Sequence, residues 1–195
     1  KAHASLTAVF IDEMLREKGL GIADCDAICV SMGPGSYTGL RVGVSTAKGL
    51  CFGAKKPLLA VGTLDTLVAQ AIAEGLVPEG CRYIVPMIDA RRMEVYTQVF
   101  DSSANPLSDI SAEVVDENTL AQYRAKTDHF VVFGSGAAKC TEILGAELIN
   151  VTPSVRGMAT IAEQKFTNGQ FADVAYFEPY YLKDFVVTTS KKRLF

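Results

Sequence analysis

Ser31-Met-Gly-Pro-Gly-Ser-Tyr-Thr-Gly-Leu-Arg-Val-Gly-Val-Ser-Thr-Ala-Lys-Gly-Leu50 begins at the end of an apolar run, Ala27 to Val30, that reads as a buried strand. Gly33, Pro34 and Gly35 break that strand, since proline has no N–H and glycine tolerates backbone angles other residues avoid. Ser36 is placed to cap the helix that follows by accepting from an orphan N–H of its first turn. On a wheel from Tyr37 to Phe52, Tyr37, Leu40, Val44, Ala47 and Cys51 make one apolar stripe. Beside it Gly39, Gly43 and Ala47, four apart, make a second stripe of small residues. Arg41, Ser45 and Lys48 leave only a narrow polar face. Glycines inside a helix cost about 1 kcal/mol each against alanine, so close approach of another element must offset them. That element is either the protein's own sheet or a partner surface, and the pattern alone leaves both open.

Outward from this stretch, strands alternate with helices. Before it, Ala4, Ala8, Ile11 and Leu15 form one helical stripe and Leu6, Phe10 and Met14 another, ending at Gly19 or Gly21 as a glycine stop predicts. The chain thus begins at Lys1, without methionine and already in a helical pattern, from which a preceding segment is expected. After it come a strand at 57–62, a helix at 63–74, and a Gly75–Gly80 break with Pro78. A strand at 82–89, a tight Ala90-Arg91-Arg92 turn and an alternating strand at 94–101 read as a hairpin. A loop at 105–111, a helix at 118–127, a strand at 129–133, a glycine turn and helix to Leu144, a strand at 147–151 and a helix at 155–168 complete the pattern. The aromatic, extended Tyr176-Phe-Glu-Pro-Tyr-Tyr-Leu182 follows. This alternation predicts an α/β protein of two lobes, 1–77 and 78–195, with the C-terminal tail a candidate to return to the first.

Composition narrows the function. A net charge of −3, 49% hydrophobic and 21% charged residues describe an ordinary globular chain with no electrostatic footprint for nucleic acid. Its basic cluster, Lys191-Lys192-Arg193, reads as a solvated tail. The cysteines, at 25, 29, 51, 81 and 140, are odd in number and lack a C-x-x-C pair, as expected of free thiols in a reducing cytoplasm. No run of eighteen apolar residues and no signal peptide is present, so a cytoplasmic protein without membrane partners is expected.

Chemistry-bearing motifs are sparse. Gly33–Gly39 sits where a phosphate-binding turn sits, but no Gly-Lys-Ser/Thr follows and the glycine spacing is not the dinucleotide fingerprint. Gly134-Ser-Gly136 is a second glycine turn of the kind any α/β fold carries. Asp89, beside Arg91 and Arg92, is placed either to touch a phosphate or metal or to stabilise its turn. His3 and His129 form no metal-binding pair, which argues against a catalytic zinc or iron site, and no nucleophile has a partner in view. The residues alone give no catalytic constellation and no cofactor site.

Residues 31–43, Ser-Met-Gly-Pro-Gly-Ser-Tyr-Thr-Gly-Leu-Arg-Val-Gly, closely resemble the signature of the bacterial TsaB (YeaZ) family. The helix 3–15, Val61-Gly-Thr-Leu64, Ile88-Asp-Ala-Arg-Arg-Met-Glu-Val-Tyr96 and Glu178-Pro-Tyr-Tyr-Leu182 resemble it too, in the family's order. The family's opening strand with its Asp-Thr-Ser-like turn has no counterpart here. The resemblance implies the two-lobed fold of the actin, hexokinase and heat-shock ATPase (ribonuclease H-like) superfamily, with a first lobe lacking its N-terminal strands. It implies a subunit without a catalytic site in making threonylcarbamoyladenosine, next to the anticodon of tRNAs reading ANN codons. The partners it implies are the TsaD paralogue, a TsaE ATPase through the complex, and a second copy when TsaD is absent, with tRNA met only indirectly. No cofactor is expected, and nucleotide should bind weakly and only within the complex. The residues expected to meet a partner are Leu6, Phe10 and Met14 of the first helix, and Tyr37, Gly39, Leu40, Gly43, Val44 and Ala47 of the second. An active enzyme of the same superfamily, either a glycoprotease-like peptidase or a small-molecule kinase, is the alternative; a direct RNA binder is a third, which the acidic balance disfavours.

Overall fold

The computed structural model describes residues 3–127 and 129–182, with side chains from Leu6 onward; His3 as a ligand and the basic cluster 191–193 lie outside the described residues. In chain order the elements are α1 (His3–Glu17), β1 (Ile28–Gly33), α2 (Tyr37–Ala54), β2 (Leu58–Gly62), α3 (Thr63–Ala73), β3 (Tyr83–Asp89), β4 (Glu94–Thr97), β5 (Phe100–Asp101), β6 (Ser111–Val114), α4 (Ala121–Arg124), β7 (Phe130–Phe133), α5 (Thr141–Leu144), β8 (Glu147–Leu148) and α6 (Val155–Thr167). Among the described residues, β1 and β2 pair in parallel as one small sheet. The second sheet is mixed, in the order β6-β4-β3-β7-β8 with β5 also on β3. Its β3, β7 and β8 run parallel, while β4, β5 and β6 are antiparallel additions.

Two helices join the sheets. α3 packs on β3 and on the small sheet, and α6 packs on α3 and β2. The core is layered accordingly. Leu64, Leu67, Val68 and Ala71 of α3 lie against Ile84, Phe100, Val131 and Phe133 on one face of the second sheet. Val85, Met87, Val95 and Val132 on its other face are closed by Ala137, Cys140 and Leu144. The α3–α6 crossing is tight: Gly157 of α6 meets the Thr66 carbonyl and the Gln70 side chain. The buried Gln70 accepts from the Ser154 N–H at 2.9 Å, next to the Ser154 hydroxyl that caps α6.

The helix expected to run from the Gly134–Gly136 turn to Leu144 is reduced to Thr141–Leu144 and the strand expected at 147–151 to Glu147–Leu148; three other elements depart from the sequence reading for identifiable reasons. The strand expected at 94–101 is interrupted at Gln98–Val99. Pro86, opposite this point, has no N–H to donate, and its carbonyl is taken by the Thr97 hydroxyl at 2.9 Å. The helix expected at 118–127 shrinks to α4, because Leu120 adopts a left-handed φ of 59° and Asp116 draws the Asn118 and Thr119 amides into a turn. Strand β6 was not anticipated; its residues are half-buried or exposed, so they lack the alternation that marks a strand.

Asp65, in the first turn of α3, folds its carboxylate back over Gly62. Burial pushes its pKa up, opposed in part by its own amide and by the Lys165 charge. A raised pKa means that the fold favours the protonated form. Asp65 therefore contributes stability in acid, below its unfolded value, that is lost as pH rises through its folded one. Asp65→Asn is expected to melt higher than wild type at neutral pH and to show a flatter Tm profile across the acid range. An unchanged profile by calorimetry would contradict this.

Candidate partner-docking face

Helix α1 is a long helix with little beneath it. Its packing partner is α2, and Ile11 and Leu15 are half-buried. The remaining apolar side chains point to solvent: Leu6 is 36%, Val9 44%, Phe10 56% and Met14 56% exposed, and Leu20 just beyond the helix is 47% exposed. The polar side carries the exposed i,i+4 pair Asp12–Arg16 at 3.1 Å, which contributes little. Apolar side chains grouped on one helix in this way make α1 the candidate interaction surface among the described residues.

The glycine-rich helix behaves differently. Leu40, Val44 and Ala47 are buried within this chain, with Cys51 continuing the stripe. A methyl group added at Gly43 would meet Val30 of β1 at 3.7 Å. The expectation that Leu40, Gly43, Val44 and Ala47 meet a partner is therefore corrected: that stripe is spent on the protein's own small sheet. Gly39 is exposed and lies over the Ser36 side chain, whose hydroxyl accepts its N–H at 3.4 Å as the capping reading predicts. Tyr37 is half-buried, stacked against Tyr181 with ring centres 4.8 Å apart. Arg41 donates to its hydroxyl at 3.1 Å and lies over its ring. The accessible positions among those expected are thus Leu6, Phe10, Met14, Tyr37 and Gly39. Val9 and Leu20 on the α1 side, and Phe52 at 83% exposure on α2, are further exposed apolar residues that the sequence reading did not name. On a wheel for α1, Val9 falls beside Arg16 on the polar flank, outside both apolar stripes, so the periodic pattern gives no signal for it.

The glycine turns hold their own chain. At Gly33, with φ of 110°, a side chain would collide with the Tyr180 carbonyl at 2.8 Å, so the C-terminal segment occupies the space over that turn. At the second turn, Gly136 presses on the backbone of Ile88 and Asp89, and the Ser135 hydroxyl accepts from the Asp89 N–H at 3.1 Å. The Lys139 ammonium donates to the Asp89 carboxylate and to the carbonyls of Arg92 at 2.6 Å and Glu94 at 2.8 Å. That hydrogen bond first of all holds the Asp89 carboxyl below the usual carboxylate range. Asp89 therefore ties its hairpin to the glycine turn. Among the described residues no group of three or more His, Cys, Asp or Glu is placed to hold a metal ion. Burial raises the thiols of Cys51, Cys81 and Cys140 and pushes Cys29 up to about 11, which makes them poor nucleophiles.

With this geometry in hand, the chain can be set beside known proteins. Residues 1–188 match the family model described as TsaD: tRNA N6-adenosine threonylcarbamoyltransferase. The tRNA threonylcarbamoyladenosine biosynthesis protein TsaB of Haemophilus influenzae is 31% identical, across 94% of this chain and 81% of that protein. The chain belongs to the TsaB (YeaZ) family. The TsaB of Escherichia coli K12 is 28% identical to this TsaB-family chain, across 94% of it and 82% of the relative. The solved structure of YeaZ from Pseudomonas aeruginosa superposes with a TM-score of 0.74 at 24% identity, covering 92% of this chain and 85% of that one. The family-model match and this likeness together bear out the expected actin-like, ribonuclease H-like α/β fold. In this chain the outer edge of β1 carries no strand among the described residues, and no described helix is long and apolar enough to cross a membrane.

Proposed function

We propose that this chain is a non-catalytic partner subunit of the cytoplasmic machinery that adds the threonylcarbamoyl group to adenosine beside the anticodon of tRNAs reading ANN codons. It docks through α1 on a TsaD-like paralogue, and the TsaE-like ATPase joins that complex rather than this chain alone. A second copy takes the same face when the paralogue is absent. The observation that carries this reading is the uncovered apolar side of α1 in a chain of the TsaB family. Its turns, where an actin-like ATPase would hold phosphate, are packed with the protein's own backbone, so nucleotide binds weakly and only within the complex, and tRNA is met indirectly. Mixing the purified chain with the TsaD-like paralogue should give a stable heterodimer by sedimentation and restore threonylcarbamoyl transfer that neither protein performs alone. Peptidase or small-molecule kinase activity from the isolated chain, with no association with the paralogue, would overturn the proposal.

A further inference from the structure

Residues 171–182 lie back across the first sheet. The stretch starts on β2, where the Ala172 N–H donates to the Leu58 carbonyl at 2.8 Å, and reaches the far end of β1, where the Tyr180 N–H donates to Met32 at 2.7 Å. Between these ends the Lys48 ammonium of α2 donates to the carbonyls of Ala175 at 3.0 Å and Phe177 at 2.9 Å. Ala172, Val174 and Phe177 pack, alongside Ile28 and Val30 of β1, against the small core formed by Ala47, Cys51 and Leu58, while Tyr176, Tyr180 and Tyr181 stay exposed. The stretch also supports its own shape: Asp173 accepts from the Ala175 and Tyr176 amides, and its carbonyl accepts from Phe177.

We propose that residues 171–182 are a latch, pinned by Lys48, that opens as one unit while the rest of the fold stays intact and so uncovers the Ala47–Cys51–Leu58 surface of α2 and β2. The hold is confined to a few contacts: two backbone bonds at the ends, one cation in the middle, the apolar Ala172, Val174 and Phe177, and the rings of Phe171 on Phe166 and Tyr181 on Tyr37. Segments held this way open locally, at far lower cost than the whole molecule. The two larger cores draw no residue from the latch, so they do not depend on it. Opening would bare a second apolar side of α2, the helix on which α1 rests, which makes the latch a means of regulating that helix.

The chain's free thiols report on this directly, because Cys51 lies under the latch while Cys81 and Cys140 lie in the two larger cores. In native buffer, site-resolved alkylation with iodoacetamide should label Cys51 faster than Cys81 and Cys140. Lys48→Met removes both charge-assisted bonds and should speed Cys51 labelling about tenfold without changing the other two. Hydrogen exchange on the wild type provides a second reading that needs no variant. The Ala172, Phe177 and Tyr180 amides should share one opening rate, well above that of Ile84 and Val132. Labelling of Cys51 at the Cys140 rate in both proteins, or exchange of the three latch amides together with those of β3 and β7, would overturn the proposal. Should Lys48→Met lose its fold throughout, the wild-type exchange rates decide the matter alone.

Discussion

Gly157→Ala is expected to destabilise the protein by about 3 kcal/mol, a fall in Tm of roughly 6–12 °C for a chain of this size. The added methyl would press on the Thr66 carbonyl, stand 2.7 Å from the Gln70 Cβ and 3.2 Å from the Gln70 N. Two of these three atoms are backbone of α3, so relief requires moving one helix against the other. α3 is itself wedged between the sheets by Leu64, Leu67 and Val68, all fully buried, and has nowhere to retreat. A shift of α6 would in turn stretch the bond from the Ser154 amide to Gln70 and leave a buried amide side chain short of a partner, which adds to the penalty. Gly49→Ala is the matched control. A methyl there meets nothing within 4 Å, so helix propensity alone should raise stability, by up to about 1 kcal/mol. If Gly157→Ala melts with the wild type, the close α3–α6 crossing is not what holds the two sheets together.

That pair of glycines also shows where the sequence is informative and where it is not. The strand–turn–helix around Gly33 is legible because each of its parts is local: an apolar run, a glycine–proline break, a serine cap and a stripe at helical spacing. The same local logic finds α3, β3, β7 and α6. What a stripe faces is not local. Gly39, Gly43 and Ala47 share one spacing, yet Gly39 is exposed, Gly43 lies against Val30 and Ala47 is buried. Which outcome each meets depends on strands that pair thirty residues apart. Gly157 carries no sequence signal for the same reason, since the helix it touches lies ninety residues earlier. Pro86 is an intermediate case. A proline within a strand run signals a broken ladder, and here the break falls on the partner strand at Gln98–Val99. On the candidate docking face, the three α1 residues stand exposed among the described residues, whereas Leu40, Val44 and Ala47 of α2 looked equally apolar in sequence and are buried, with Gly43 half-buried beside them.

The second large effect is expected at that face. Phe10→Gln combined with Met14→Gln should leave the fold unchanged and weaken both proposed associations at least about 100-fold, since anchors of this kind carry most of an interface's energy. Both side chains are more than half exposed, and glutamine is a good helix former, so Tm should stay within about 1 °C of wild type. An interface of standard size hides about 800 Å² on each partner. Leu6, Val9, Phe10 and Met14 on α1 supply an apolar centre of the kind such an interface needs, with Arg16 and Asp12 on its polar rim. Val44→Gln is the contrasting variant: Val44 is buried against the small sheet, so this change should lower Tm by several degrees and thereby weaken association only as far as it loosens the fold. On the proposed reading a second copy and the TsaD-like paralogue compete for one face, so adding the paralogue should dissolve a homodimer of the wild type, and the double variant should be monomeric both with and without the paralogue. Sedimentation velocity on the two proteins, alone and mixed, distinguishes these outcomes. A double variant that melts like wild type, still self-associates and still binds the paralogue would show that α1 turns its apolar side toward something other than either partner.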